Sequence, residues 1–119
     1  MKIVVAGCRD FTDYDMAKEF ILSVTKDITE EITVISGGSK GADALGERFA
    51  KEYGHKIEFF PADWETYGRA AGPIRNKQMA TECDMLIAFW DYKSKGTKNM
   101  IGEAEKQNKI IHIKQISGV

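Results

Sequence analysis

Three short runs of this chain combine the residue types that hold a phosphate. The first is Val34-Ile35-Ser36-Gly37-Gly38-Ser39-Lys40-Gly41-Ala42-Asp43, an apolar segment that enters a glycine-rich turn and opens a helical pattern. Gly37, Gly38 and Gly41 let backbone N–H groups approach an anion, and the helix start adds partial positive charge. Ser39 and Lys40 add a hydroxyl and an ammonium, and Asp43 follows as an acceptor. The run is neither GxxxxGK[ST] nor GxGxxG, so tight turn geometry alone also accounts for it. The second run is Gly72-Pro73-Ile74-Arg75-Asn76, with an arginine placed in the first turn of a predicted helix. A cation there opposes the helix dipole. A bound phosphate or carboxylate, gripped bidentately, would give it a reason; a solvated arginine is the plain alternative. The third run, Ser94-Lys95-Gly96-Thr97, again sets small residues and a cation before a helix. It reads as a second face for a phosphate or ribose hydroxyl, or as a turn capped by Ser94 or Thr97. Gly7, Arg9 and Asp10 form one more small loop with a cation and an acceptor.

Other chemistries find little support. Cys8 and Cys83 belong to no CxxC pair and read as reduced, partly buried thiols. His55 and His112 stand far apart, so no metal site is expected, and no cofactor motif is present. Trp64, Tyr67, Trp90 and Tyr92 lie in or beside the loops, where they either stack on a base or seal the ends of the core.

The elements that must position these residues alternate along the chain. Strands are expected over residues 2–6, 32–36, 56–60, 85–89 and 109–113, apolar runs of the fully buried kind. Helical stripes separate them. The first is Ala17, Phe20, Ile21, Val24 and Ile28, capped by Asp13 or Asp15; the next carries Leu45, Phe49 and Tyr53 and stops at Gly54. A third follows Pro73, with Met79, Ala80 and Cys83 facing inward, and the last buries Met100, Ile101 and Ala104. This order predicts an α/β fold, a doubly wound five-stranded sheet that is mainly parallel, formed as one domain over residues 1–119. In such sheets ligands bind beyond the C-terminal strand ends. The loops 7–10, 37–41 and 90–97 and the long connection 61–72 all belong to that rim.

Composition narrows the partners. A formal net charge of -1 gives no broad basic surface, so nucleic acid is not an expected partner. No apolar run approaches a membrane span, and Met1–Gly7 reads as a first strand rather than a leader, which makes the cytoplasm the expected location.

Taken in order, Gly7-Cys8-Arg9-Asp10-Phe11, Ser36–Asp43, Ala62-Asp63-Trp64, Ala71-Gly72-Pro73-Ile74-Arg75-Asn76-Lys77-Gln78-Met79, and Ala88-Phe89 with Lys95-Gly96-Thr97 resemble the small YspA-related branch of the SLOG superfamily. The resemblance implies a Rossmann-like fold and a nucleotide-derived small molecule on the rim, bound by a sensor, carrier or sequestering protein for an ADP-ribose-like or cyclic nucleotide signal. Gly37, Gly38 and Gly41 match the first glycine motif, and Gly96 and Thr97 match the second. Arg75 matches the arginine ahead of the second motif in the LOG-type phosphoribohydrolases of the same superfamily. Those hydrolases cleave the N-glycosidic bond of nucleoside 5'-monophosphates and carry a glutamate three residues after the threonine, where this chain has Met100. Breaking that bond needs a carboxylate to stabilise the oxocarbenium-like centre or to activate water. Hydrolysis is therefore the alternative reading, with Glu103, Asp43, Asp10 or Asp91 as the substitute carboxylate. Related folds often pair through their helices, which leaves a homo-oligomer open.

Overall fold

The computed structural model describes residues 1–116. Five strands, β1 (Lys2–Gly7), β2 (Thr33–Ser36), β3 (Lys56–Phe59), β4 (Met85–Trp90) and β5 (Ile110–Gln115), form one sheet in the order β3-β2-β1-β4-β5. Every neighbouring pair is parallel, so the sheet is wholly rather than mainly parallel. The strand order turns at β1, which pairs with β2 on one side and β4 on the other.

Side chains of the central strands alternate between two cores. Ile3, Val5, Val34, Met85, Ile87 and Phe89 face one side; Val4, Ala6, Ile35, Leu86 and Ala88 face the other. Both faces are buried, which is why these strands read as unbroken apolar runs instead of alternating ones. Helices α1 (Tyr14–Thr25) and α2 (Ala42–Tyr53) cover the first face with Tyr14, Ala17, Ile21, Leu45 and Phe49. Phe11 stacks on Phe89 there, with ring centroids 5.0 Å apart. On the second face, α4 (Ala71–Glu82) and α5 (Lys95–Lys106) bury Met79, Ala80, Met100, Ile101 and Ala104.

Local chemistry sets the helix ends. Asp13 caps α1 by accepting the Met16 N–H at 3.1 Å. Gly54 ends α2 in the left-handed region, its N–H closing on the Ala50 carbonyl. Ser94 caps α5, accepting the Thr97 N–H at 3.4 Å and sharing a hydrogen bond with the Thr97 hydroxyl at 3.1 Å.

Other features also differ from the sequence expectation, and α1 ends at Thr25, short of Ile28. The connection 61–72 is not a plain loop: Asp63 caps a single helical turn, α3 (Trp64–Tyr67), and a 3-10 turn (Gly68–Ala70) leads into α4. Helix α4 therefore begins at Ala71, and Arg75 is its fifth residue. It lies past the first turn, where the dipole acts most strongly, so the electrostatic objection to a cation is weaker than expected. Tyr53 is turned outward at 40 % exposure, because its ring is held against Phe49 and His55 rather than packed into the core.

Candidate functional site

A cleft of about 560 Å³ opens at the C-terminal ends of β1 and β4, the position where the strand order turns. Four segments wall it. The β1 end supplies Gly7, Arg9 and Asp10; the turn before α2 supplies Ser39 and Lys40, with Asp43 from the helix itself; α4 supplies Arg75 and Asn76; the start of α5 supplies Gly96 and Thr97. Residues far apart in sequence thus meet in one concavity. Gly37, Gly38 and Gly41 stand behind the wall instead of lining it.

Arg75 is the most firmly held cation of the cleft. Its Nη1 donates to the carbonyl oxygens of Gly37 at 2.8 Å and Phe60 at 3.4 Å. Its Nε donates to Asn76 Oδ1 at 3.2 Å, and Asn76 Nδ2 donates in turn to Asn99 Oδ1 at 2.9 Å and to the Gly96 carbonyl at 3.4 Å. Nη2 has no hydrogen-bond partner among the described residues. No ion pair among the described residues involves Arg75. Burial pulls its pKa below the usual guanidinium value, the Asp43 carboxylate opposes that pull, and Arg9 adds to it. A half-buried guanidinium locked on one edge and open on the other is set to receive an anion.

The glycine turn is organised around its own side chains. Gly38 N–H donates to Ser36 Oγ at 3.0 Å, and Ser36 Oγ donates to Glu47 at 2.7 Å. Ser39 N–H donates to Asp43 Oδ2 at 3.2 Å, and Ala42 N–H donates to the Cys8 carbonyl at 3.1 Å. Several N–H groups that the sequence offers to a phosphate are therefore engaged within the fold. Gly41 has a geometric reason to be glycine: its φ is +77°, and a Cβ there would lie 2.4 Å from the carbonyl oxygens of Cys8 and Arg9. Gly37 keeps the wall thin, since a Cβ on it would meet Arg75 Nη1 at 2.5 Å and Asp43 Oδ2 at 3.0 Å.

Asp43 is the unusual acid of the cleft. Burial pushes its pKa up to about 6, with the neighbouring Glu47 carboxylate adding to the rise. The Ser39 and Gly37 N–H groups and the Arg75 guanidinium pull the other way and are outweighed. A carboxyl that titrates near neutrality in a cleft is one mark of a functional position.

The cleft also contains Met79 and Ala6, which nothing in the sequence distinguishes from the core stripes to which they also belong, and Met100, which stands where the resemblance puts the hydrolases' glutamate. Cys8 lies among them; burial pushes its thiol pKa up. Asp91 also lines the cleft, and its Oδ1 accepts the Lys93 and Ser94 N–H groups at 2.8 Å, which shapes the loop before α5. Those bonds, Ser94 first, hold its pKa below the usual carboxylate range. Ser94 lines the cleft as well. Of the alternative carboxylates, Asp10, Asp43 and Asp91 reach the cleft, whereas Glu103 does not line it and pairs with Lys106 at 3.7 Å. None of Trp64, Tyr67, Trp90 and Tyr92 lines the cleft. Trp90 and Tyr92 stack on each other at 4.3 Å, and Trp90 Nε1 donates to the Ser94 carbonyl at 3.0 Å.

No described helix is long and apolar enough to cross a membrane, and no group of acids, histidines and cysteines among the described residues could hold a metal ion. Comparison with known proteins gives three findings. The family model of YAcAr, described as the YspA, cpYpsA-related SLOG family, matches residues 1–67. The Gene 61 protein of Mycobacterium phage D29 is 29% identical over 111 residues, covering 88% of this chain and 89% of that protein. Among solved structures, DNA processing protein A (DprA) from Streptococcus pneumoniae superposes with a TM-score of 0.73 at 18% identity, a likeness of fold. That match covers 94% of this chain but only 49% of the DprA chain, so the present chain corresponds to about half of it.

Proposed function

Because this chain belongs to the YspA, cpYpsA-related SLOG family, we propose that it binds a nucleotide or nucleotide-derived ligand, an ADP-ribose-like or cyclic nucleotide signal, and holds it without cutting it. The observation that carries this reading is Arg75, anchored on Gly37, Phe60 and Asn76 with Nη2 open, at the wall of a cleft large enough for a small ligand. Arg75 takes the phosphate, with Lys40 and Arg9 as further cations on the same walls. Asp10, Asp43 and Asp91 balance those three charges. A cleft of such mixed sign suits a phosphate flanked by hydroxyl donors, as on a ribose, better than a bare polyanion. Met100 occupies the place of the hydrolases' glutamate and is fully buried, which supports retention over cleavage. Such a protein senses, carries or sequesters its ligand in the cytoplasm, where both free cysteines stay reduced.

Calorimetry against nucleoside monophosphates, cyclic nucleotides and ADP-ribose tests this. At least one is expected to bind, and Arg75→Ala is expected to weaken that binding by about tenfold to a hundredfold, the worth of a hydrogen bond to a charged group. Absence of binding by the whole panel overturns the reading. Asp43 favours a second reading, N-glycosidic hydrolysis, because its pKa near 6 suits a general acid. Chromatography for free base after incubation with nucleoside monophosphates decides between the two, and unchanged substrate at high protein concentration removes the second.

A further inference from the structure

Trp64 heads α3 with 53 % of its surface exposed, although indole is among the most costly side chains to leave in water. No described ring pairs with it, unlike Tyr92 on Trp90 or Tyr53 on Phe49. Its contact is with α4: the ring tip, Cη2, lies 3.5 Å from the position a Cβ on Gly72 would take. The lack of a side chain at Gly72 leaves a bare ledge for the indole. Gly72 lies three and four residues before Arg75 and Asn76, so it shares a face of the helix with them. By helix geometry the Gly72 ledge, with the indole tip against it, lies about one turn, roughly 5 Å along the axis, toward the α4 N-terminus from Arg75 and Asn76. No described residue lining the cleft is aromatic, so an aromatic stacking partner for a ligand comes from its rim.

We propose that Trp64, resting on the Gly72 ledge above Arg75, is the stacking platform for the planar ring of the ligand. This rests on the nucleotide-binding reading and adds to it that the ligand carries an aromatic base, placed toward α3 while its phosphate meets Arg75. The exposed indole is then covered by the base, with a gain of about one order of magnitude or more in affinity that is tolerant of base identity.

The test compares AMP with ribose 5-phosphate, which lacks the base. Wild type is expected to bind AMP more tightly than ribose 5-phosphate. Trp64→Ala is expected to weaken AMP about tenfold to a hundredfold and leave ribose 5-phosphate within about twofold, while Trp64→Phe keeps most of the AMP affinity. Arg75→Ala, by contrast, weakens both. AMP should also change the tryptophan emission of wild type by more than that of Trp64→Phe, in which only Trp90, bonded to the cleft residue Ser94, remains to respond. Because α3 buries no residue, these variants remove no core packing. Gly72→Leu, which crowds the ledge, should reproduce the AMP-selective loss. Equal loss for both ligands in Trp64→Ala, no loss for either, or AMP bound no more tightly than ribose 5-phosphate by wild type overturns the platform and leaves the phosphate reading standing. Failure of every nucleotide in the panel overturns both.

Discussion

Replacing Asp43 by asparagine isolates the electrostatic cost of the cleft. The carboxyl has 7 % of its surface exposed and a pKa raised from 3.8 to about 6. Folding therefore favours the protonated acid. That contribution is fully present below the unfolded value and is lost as pH rises through the folded one. A shift of about two units corresponds to roughly 3 kcal/mol, at about 1.4 kcal/mol per unit. Asparagine keeps an oxygen able to accept the Ser39 N–H but never ionises. Urea unfolding of wild type and Asp43→Asn at intervals from pH 4 to pH 8 cancels the titrations the two proteins share. The stability of the variant relative to wild type should rise by about 2.5 kcal/mol from pH 4 to pH 8, nearly all of it below pH 7, since the remainder of the effect lies below pH 4. With a urea slope of about 1–3 kcal/mol per molar, the two midpoints shift relative to each other by roughly 1–2.5 M. A difference that stays constant with pH, or that moves in favour of wild type as pH rises, would refute the claim that burial outweighs Arg75 and the two N–H donors.

Two glycine substitutions test the backbone that supports the cleft. Gly41→Ala should destabilise by more than 2 kcal/mol in thermal or urea unfolding, because the new Cβ meets the backbone of Cys8 and Arg9 at 2.4 Å; Gly38→Ala, with open space and only a φ of +78° to strain it, should lose about 1–2 kcal/mol. Gly46→Ala should also destabilise, although helix propensity alone gives alanine an advantage of about 1 kcal/mol, because its Cβ would stand 2.6 Å from the Val5 Cβ across the α2–β1 contact. A gain in midpoint for Gly46→Ala would show that the helix can lift off the sheet at little cost.

The fold was largely legible because parallel strands buried on both faces leave uninterrupted apolar runs, and Val4-Val5-Ala6 or Leu86-Ile87-Ala88 admit few other readings. Helix α3 was not, since four residues carry no periodicity and its aromatic side chains stay half exposed. The site was legible as a gathering of loops on one rim, and Arg9, Lys40, Arg75 and Thr97 do meet in one cleft. How the glycine turn uses its N–H groups could not be read, because residue spacing does not reveal whether a donor faces the cleft or the next side chain. Asp43 looks like an ordinary first-turn acid in sequence; only burial beside Arg75 and Glu47 gives it a different pKa. Met79 follows helical core periodicity and gives no sign that its stripe reaches the cleft; Met100 is marked only by the resemblance, as the place of the hydrolases' glutamate.

Strand β3 is a four-residue edge strand with no fully buried residue, held on one side only by β2. Such a strand opens locally at a smaller free-energy cost than the core strands. Yet the Phe60 carbonyl just beyond it is one of the groups that orient Arg75, and the Phe60 N–H itself closes on the Ser36 carbonyl. Fraying at this edge would loosen the guanidinium without disturbing β1 or β4. An anion that needs Arg75 in place therefore binds the closed edge more tightly, and by mass action it stabilises that edge. Slowed amide exchange in residues 56–60 would then report an occupied cleft from the far side of the sheet.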